Sequence, residues 1–265
     1  MPKFLLVTFF FLTSIAAKAQ TWEIGASIGG AGYMGDLNTH NPLKVSGLSA
    51  GGFIKRNFNG YLSLKGSFQY GKISAADSNS NNQQFRDRNL SFNNKLLETS
   101  LTGEFNFMHY IPDAGKNRFT PFIFLGVGIT AHAPRTIFEG QNVGLRDHRT
   151  EGQTNKYPKS IIAIPYGAGI KYNVGGKWTL IGDLGYRYTN TDYLDDVSGA
   201  YPGKSVLPND LSKLLSDRSG EIPGKSYIGE IGMQRGDLRK RDTYLFLNLS
   251  ISYTFVTQRC YYENQ

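Results

Sequence analysis

The chain holds a single cysteine, Cys260, in 265 residues. One cysteine forms no disulfide within its own chain, so it is either a free thiol or bonded to another chain. Histidine is also sparse. His40, His109, His132 and His148 are scattered and show no metal-binding spacing such as His-x-x-x-His. Beyond the opening residues there is no apolar run of the roughly 20 residues that a transmembrane helix needs. Gly126-Val127-Gly128 lies in a strand-like stretch with no helix after it to receive a phosphate. These absences exclude an internally disulfide-bonded fold and a helical membrane protein. They leave no signature of a catalytic centre, a metal site or a cofactor, so none of the three is expected.

What is present begins with a leader. Lys3 supplies a positive start, Phe4 to Leu12 form a short apolar run, and Ala17-Lys18-Ala19 is a small-x-small cleavage signal. Residues 1–19 are therefore expected to be a signal peptide, with Gln20 as the new N-terminus and no cysteine there to carry lipid. The formal charge is +8, of which Lys3 and Lys18 leave with the leader. A basic chain points first to nucleic acid. Export to the cell envelope argues against that partner, and loop Arg and Lys residues are expected to meet the anionic headgroups of outer-membrane lipid and lipopolysaccharide.

The mature chain alternates. The cleanest stretch puts Leu245, Leu247, Leu249, Ile251, Tyr253 and Phe255 on one side and mostly polar residues on the other. A period of two is a strand with one oily face. Eight such stretches follow one another, and the last is long enough to cross a bilayer as a tilted strand, which takes roughly 9–11 residues. They are read over about 22–35, 45–57, 61–73, 95–110, 119–133, the stretch holding Ile162 to Tyr172, that holding Trp178 to Tyr188, and the last from Leu245. Short turns follow strands two, four and six, and long loops follow strands one, three, five and seven. Outer-membrane barrels show this alternation, with short periplasmic turns and long extracellular loops. The expectation is an all-β, eight-stranded antiparallel transmembrane β-barrel over residues 20–256, with a periplasmic tail over 257–265, both termini periplasmic. The largest loop, about 191–240, has room for a short helix capped by Asn209 or Asp210, bearing Leu211, Leu214 and Leu215 and stopped by Gly220. The polar stretch from Ser74 to Asn94 reads as a mobile loop.

Two residue sets follow from this frame. Trp22, Phe58, Tyr61, Tyr110, Phe119, Tyr172, Trp178 and Phe255 sit near the periplasmic strand ends and form a candidate aromatic girdle, since such rings favour the water–lipid boundary. Glu23, Lys65, Glu98, Glu104, Lys171, Asp183 and Arg187 fall on the opposite faces. An eight-stranded barrel is just wide enough to be filled by side chains. Mixed charges inside would pair and plug it, so no open pore is expected.

Other short patterns carry little weight. Arg235-Gly236-Asp237 spells an adhesion tripeptide, but three letters match easily by chance. Asn248-Leu249-Ser250 fits a glycosylation acceptor inside a strand. Asp192, Asp195 and Asp196 could serve calcium, yet the full ligand spacing is missing and a solvated loop face accounts for them. A barrel acting on lipid A would need a His, a Ser and an acid gathered near the outer leaflet. His132 lies near the outer end of strand five, without a partner identifiable from spacing.

Two segments resemble a known family. Trp22-Glu23-Ile24-Gly25-Ala26-Ser27-Ile28-Gly29 runs into Tyr33-Met34-Gly35-Asp36-Leu37 at the start. Arg235-Gly236-Asp237, then Lys240-Arg241-Asp242-Thr243-Tyr244, run into Ser252-Tyr253-Thr254-Phe255 at the end. Both are similar to the PorG-like outer-membrane barrels of Bacteroidetes, the DUF6089 proteins. The likeness implies a non-enzymatic barrel of the type IX secretion system that anchors, or helps to assemble, a periplasmic ring of the lipoprotein PorK and its partner PorN. In gliding species such machines also support motility. On that implication Cys260, in the oxidising periplasm, is expected to form an intermolecular disulfide with the ring lipoprotein. The alternative is a stand-alone envelope barrel that stabilises the membrane, binds a surface ligand or modifies lipid A.

Overall fold

The structure, a computed structural model, describes residues 21–113, 117–237 and 239–256. The leader over 1–19, the tail over 257–265 and Cys260 all lie outside the described residues.

Ten strands form in chain order: β1 (Thr21–Met34), β2 (Val45–Asn57), β3 (Leu62–Ala76), β4 (Ser91–Asn106), β5 (Phe119–Ala131), β6 (Arg135–Phe138), β7 (Gln141–Gly144), β8 (Ser160–Gly175), β9 (Trp178–Thr189) and β10 (Thr243–Val256). Eight of them close a barrel. Each of β1 to β5 pairs antiparallel with the next, β5 pairs with β8, and β8, β9 and β10 follow until β10 returns to β1. Closure leaves none of these eight strands with an unpaired edge, which is the condition for sheet in a membrane. Following paired residues once round from Trp22, through Arg56, Leu64, Gly103, Leu125, Tyr166, Tyr186 and Leu245, ends at Gly32, ten positions further along β1. Eight strands with that stagger tilt by roughly 40° and leave a lumen only side chains can fill.

Alternation sets the faces. Ile24, Ile28, Leu48, Ile129, Leu249 and their neighbours project outward and are exposed, forming an apolar belt. Thr21 pairs with Val256, so both described ends of the barrel wall lie together at the rim that carries the tight β2–β3 and β8–β9 turns. Loops leave the other rim.

The long loops hold more structure than their composition indicates. The stretch from Ser74 to Asn94 is not wholly loop: β3 runs to Ala76, β4 starts at Ser91, and the two remain paired there. The six-residue helix α1 (Gln83–Arg88) joins them, capped by the Asn82 side chain. Above the belt an outward residue faces water instead of lipid, so the apolar signal fades while the hydrogen-bond ladder continues. In the loop after β5, β6 and β7 form a hairpin turned at Glu139-Gly140, both with positive φ (48° and 77°), as a tight hairpin needs. In the largest loop α2 (Asp210–Ser216) is capped by Asn209, whose side chain accepts from Ser212 N at 2.8 Å. It ends at Ser216, short of Gly220, with Leu215 buried and Leu214 exposed.

Candidate functional site

The barrel interior is built in layers. Nearest the turn rim is an ion-pair cluster. Lys55 meets Glu23 at 2.8 Å, while Glu104 meets Lys171 at 2.6 Å, Lys65 at 2.9 Å and Lys55 at 3.7 Å. Lys171 also donates to Asn106 Oδ1 at 2.8 Å. An ion left unpaired in such a space would be costly, and these geometries compensate it. Above lies an apolar plate of Phe53, Phe122, Phe124 and Ile181. Lysine ammoniums rest on its rings, with Lys171 at 4.4 Å from the Phe122 centroid and Lys65 at 5.2 Å from that of Phe124. The dual apolar faces of β5 have their reason here: Phe122 and Phe124 line the lumen while Ile123 and Leu125 face out.

Next comes a polar layer of Ser27, Gln69, Asn248 and Asp183, joined by side-chain hydrogen bonds of 2.9 to 3.3 Å. It encloses a void of about 30 Å³, room for one water. Higher still, Arg187 meets Glu98 at 3.0 Å, and Tyr244 donates to the same carboxylate at 2.7 Å. An apolar plug that includes Tyr33, Ile73, Phe92, Leu96 and Phe246 closes the loop end. Gly71 stands where a Cβ would collide with the Phe246 ring, so the plug's fit requires glycine there.

All seven charged residues read as inward therefore face the lumen. Six join ion pairs, while Asp183 is held by the Asn248 amide. Lys55 was missed because β2, rich in glycine and serine, shows no clear alternation. The girdle positions divide differently. Trp22, Tyr61, Phe119, Tyr172, Trp178 and Phe255 are exposed at the turn rim, and Phe58 is half-exposed beneath the Arg56 guanidinium. Tyr110 is not part of the girdle. It is 5% exposed, and its hydroxyl shares a 2.8 Å hydrogen bond with Thr179. Tyr110 shares the even parity of Glu98, Glu104 and Asn106, the inward side of β4, and after β4 ends at Asn106 the returning loop tucks it under the barrel mouth, its N–H on Gly60 O.

The loop end is a packed cap. Leu194 is fully buried, and Asn94 donates to its carbonyl at 2.7 Å. Arg218 ties the cap to the hairpin through Thr136 at 2.7 Å and Ile137 O at 3.1 Å, and is itself held by Glu221 of the cap at 2.7 Å. Arg235 is 2% exposed, bound to Glu151, Asp196 O and Ser216 O, so the Arg-Gly-Asp tripeptide is not displayed. His132 is buried against Tyr157, which stacks on Tyr193. Its Nε2 bonds Pro158 O at 3.0 Å, its Nδ1 has no partner among the described residues, and burial pushes its pKa down to about 4.

Asp192, Asp195 and Asp196 are not a solvated face. Asp195 and Asp196 are buried, and Asp192 is half-buried. Asp196 accepts from Tyr157 and Thr150, and burial lifts it to about 6. Asp36, at the end of β1, and Asp242, just before β10, close on the same spot. Burial together with the neighbouring Asp195 charge lifts Asp36 to about 9 and holds Asp242 well above the usual carboxylate range. Burial likewise lifts Asp195 to about 7 and Asp192 to about 6. Spacing could not foretell this cluster, since its members come from opposite ends of the chain.

An eight-stranded closed barrel with an apolar exterior, a filled polar lumen and elaborated loops at one rim is a barrel of the outer-membrane type. The chain belongs to the family described as domain of unknown function DUF6089, whose model matches residues 2–210. Comparison with curated proteins finds no match. Solved structures similar to it include the N-terminal β-barrel domain of Pseudomonas aeruginosa OprF, at 13% identity over 89% of this chain and 97% of that one, TM-score 0.39. A major outer membrane protein of Thermus thermophilus is similar at 12% identity over 90% of this chain and 100% of that one, TM-score 0.46. Neisserial surface protein A is similar at 11% identity over 90% and 98%, TM-score 0.40.

Proposed function

We propose that this protein resides in a bacterial outer membrane, with the turn rim and both termini in the periplasm. There it acts as a non-enzymatic component of a type IX protein secretion machine, anchoring or helping to assemble a periplasmic ring of a PorK-like lipoprotein and a PorN-like partner. The observation that carries this reading is the filled lumen. A barrel whose axis is occupied by ion pairs and an aromatic plate passes no solute, so its work falls to its two rims. Family membership and the two terminal segments that resemble PorG-like barrels supply the machine. The apolar belt supplies the membrane. On this reading the ring contacts the tail over 257–265, which lies outside the described residues, and the short turns, with Cys260 as the candidate covalent contact.

The test is co-purification from detergent-extracted membranes, with and without reductant, comparing the natural chain with Cys260→Ser. The ring lipoprotein is expected to come with the barrel, in a band that reductant collapses and Cys260→Ser lacks. Deleting the gene is expected to stop export of cargo bearing a C-terminal sorting domain. Intact secretion accompanied by altered lipid A or a leaky envelope would refute the secretion role and favour a stand-alone barrel.

A further inference from the structure

The two segments that bracket the chain meet in space. Tyr33, Gly35 and Asp36 from the end of β1 lie against Asp237 and Asp242 from the approach to β10, and Asp192 and Asp195 join them from the start of the largest loop. We propose that this junction is a calcium site in which Asp36, Asp192 and Asp242 supply carboxylate oxygens to one cation.

Geometry carries the proposal. Each of the three residues offers an oxygen within 4.8 Å of those of the other two. Oxygens on opposite sides of a calcium ion, bound at about 2.3–2.6 Å, lie about 4.6–5.2 Å apart. The donors are all oxygen, as a hard cation requires. The second observation is an orphan. Asp36 is 1% exposed; its Oδ1 accepts the Asp237 N–H, while its Oδ2 is sealed from solvent with no hydrogen-bond partner among the described residues. Asp192 repeats the pattern: Oδ2 accepts from Ser198 at 2.7 Å and Oδ1 has no such partner. Asp242 is oriented by the Leu194 N–H on Oδ2 at 2.9 Å, with Tyr33 Oη 3.5 Å from Oδ1.

No protein cation among the described residues neutralises the three. Arg88 gives its guanidinium to Asp77 and to the Asp36 and Arg235 carbonyls, and Arg235 gives its own to Glu151, Asp196 O and Ser216 O. Three acids, two of them buried and one half-buried, held together without a counter-charge are costly, and a divalent cation removes that cost. Gly35 completes the cradle: a Cβ there would collide with Asp242 Oδ1. The bound ion would hold β1, β10 and the largest loop in one piece and so lock the cap.

The test uses the purified full chain in detergent. Terbium replaces calcium, and its luminescence is sensitised by Tyr33. One saturable site is expected, displaced by calcium at about 0.1–1 mM, the range of extracellular calcium modules. Calcium is also expected to raise the melting temperature. Asp36→Asn and the less buried Asp192→Asn are each expected to weaken displacement by about tenfold or more. Asp210→Asn, on an exposed side chain, should leave it unchanged. The wild-type titration needs no variant to fold: absence of a calcium-displaceable signal overturns the site. So does unchanged affinity in Asp36→Asn. A wild type insensitive to calcium with an Asp36→Asn variant that is more stable would mean the cluster holds protons instead, and would equally overturn it.

Discussion

Replacing Glu104 by Gln keeps the shape of the side chain and removes its charge. Glu104 contacts three ammonium groups, those of Lys171, Lys65 and Lys55, at 2.6, 2.9 and 3.7 Å. The other carboxylate in that layer is Glu23, which Lys55 already holds at 2.8 Å. The variant therefore leaves Lys171 and Lys65 without an anionic partner, and Lys171 is 1% exposed. Removing one member of a buried pair typically costs about 3–5 kcal/mol, and three dependent cations put Glu104→Gln at the upper end. Lys171→Met should cost less, because Glu104 keeps two lysines. The double variant should be more stable than Glu104→Gln alone, since it removes the stranded cation together with its partner. The assay is denaturant unfolding in lipid vesicles, followed by the fluorescence of Trp22 and Trp178 at the turn rim. A Glu104→Gln cost below about 1 kcal/mol, or a double variant no better than that single one, would refute the account of the lumen as a mutually neutralising charge layer.

Two further outcomes are expected. Leu249→Arg, at a residue 70% exposed midway along β10, should destabilise the membrane-inserted barrel by about 2–4 kcal/mol, whereas Val206→Arg, comparably exposed on the cap, should cost little; equal costs in vesicle unfolding would remove the lipid-facing belt. His132 should make stability pH-dependent. Its folded pKa of about 4 lies below the unfolded value near 6.5, so its contribution is present above pH 6.5 and is lost as pH falls towards 4. The span corresponds to about 3 kcal/mol. His132→Gln should flatten that part of the slope, and identical slopes for the two proteins between about pH 7 and 4.5 would contradict the buried neutral imidazole.

The short-and-long rhythm of the connections is not clean, since 12 residues join β4 to β5 and only 10 join β1 to β2. The number of barrel strands, the outward face of β10 and the inward turn of Glu98, Glu104 and Lys171 were legible in the sequence. Each is a local property of a period-two chain under one constraint, that lipid lies on one side. Where that constraint stops, legibility stops. β3 and β4 continue past the belt on backbone pairing alone, and Tyr110, placed in the girdle by its nearness to the rim, keeps the inward parity of β4 and is buried. β2 hid Lys55 because small residues carry no face. Arg235-Gly236-Asp237 spells an adhesion tripeptide, which carried little weight in the sequence, and its arginine is a buried tie.

What the sequence by itself determined, then, is which side chains face lipid and which face the lumen, because that choice is made residue by residue along a single strand. Which lumen charge meets which, and that Asp36 closes on Asp192 and Asp242, were decided only by the tertiary structure. Those contacts depend on the ten-residue stagger of the closed sheet and on the path of a long loop, which bring distant segments of the chain to within a few ångströms of one another.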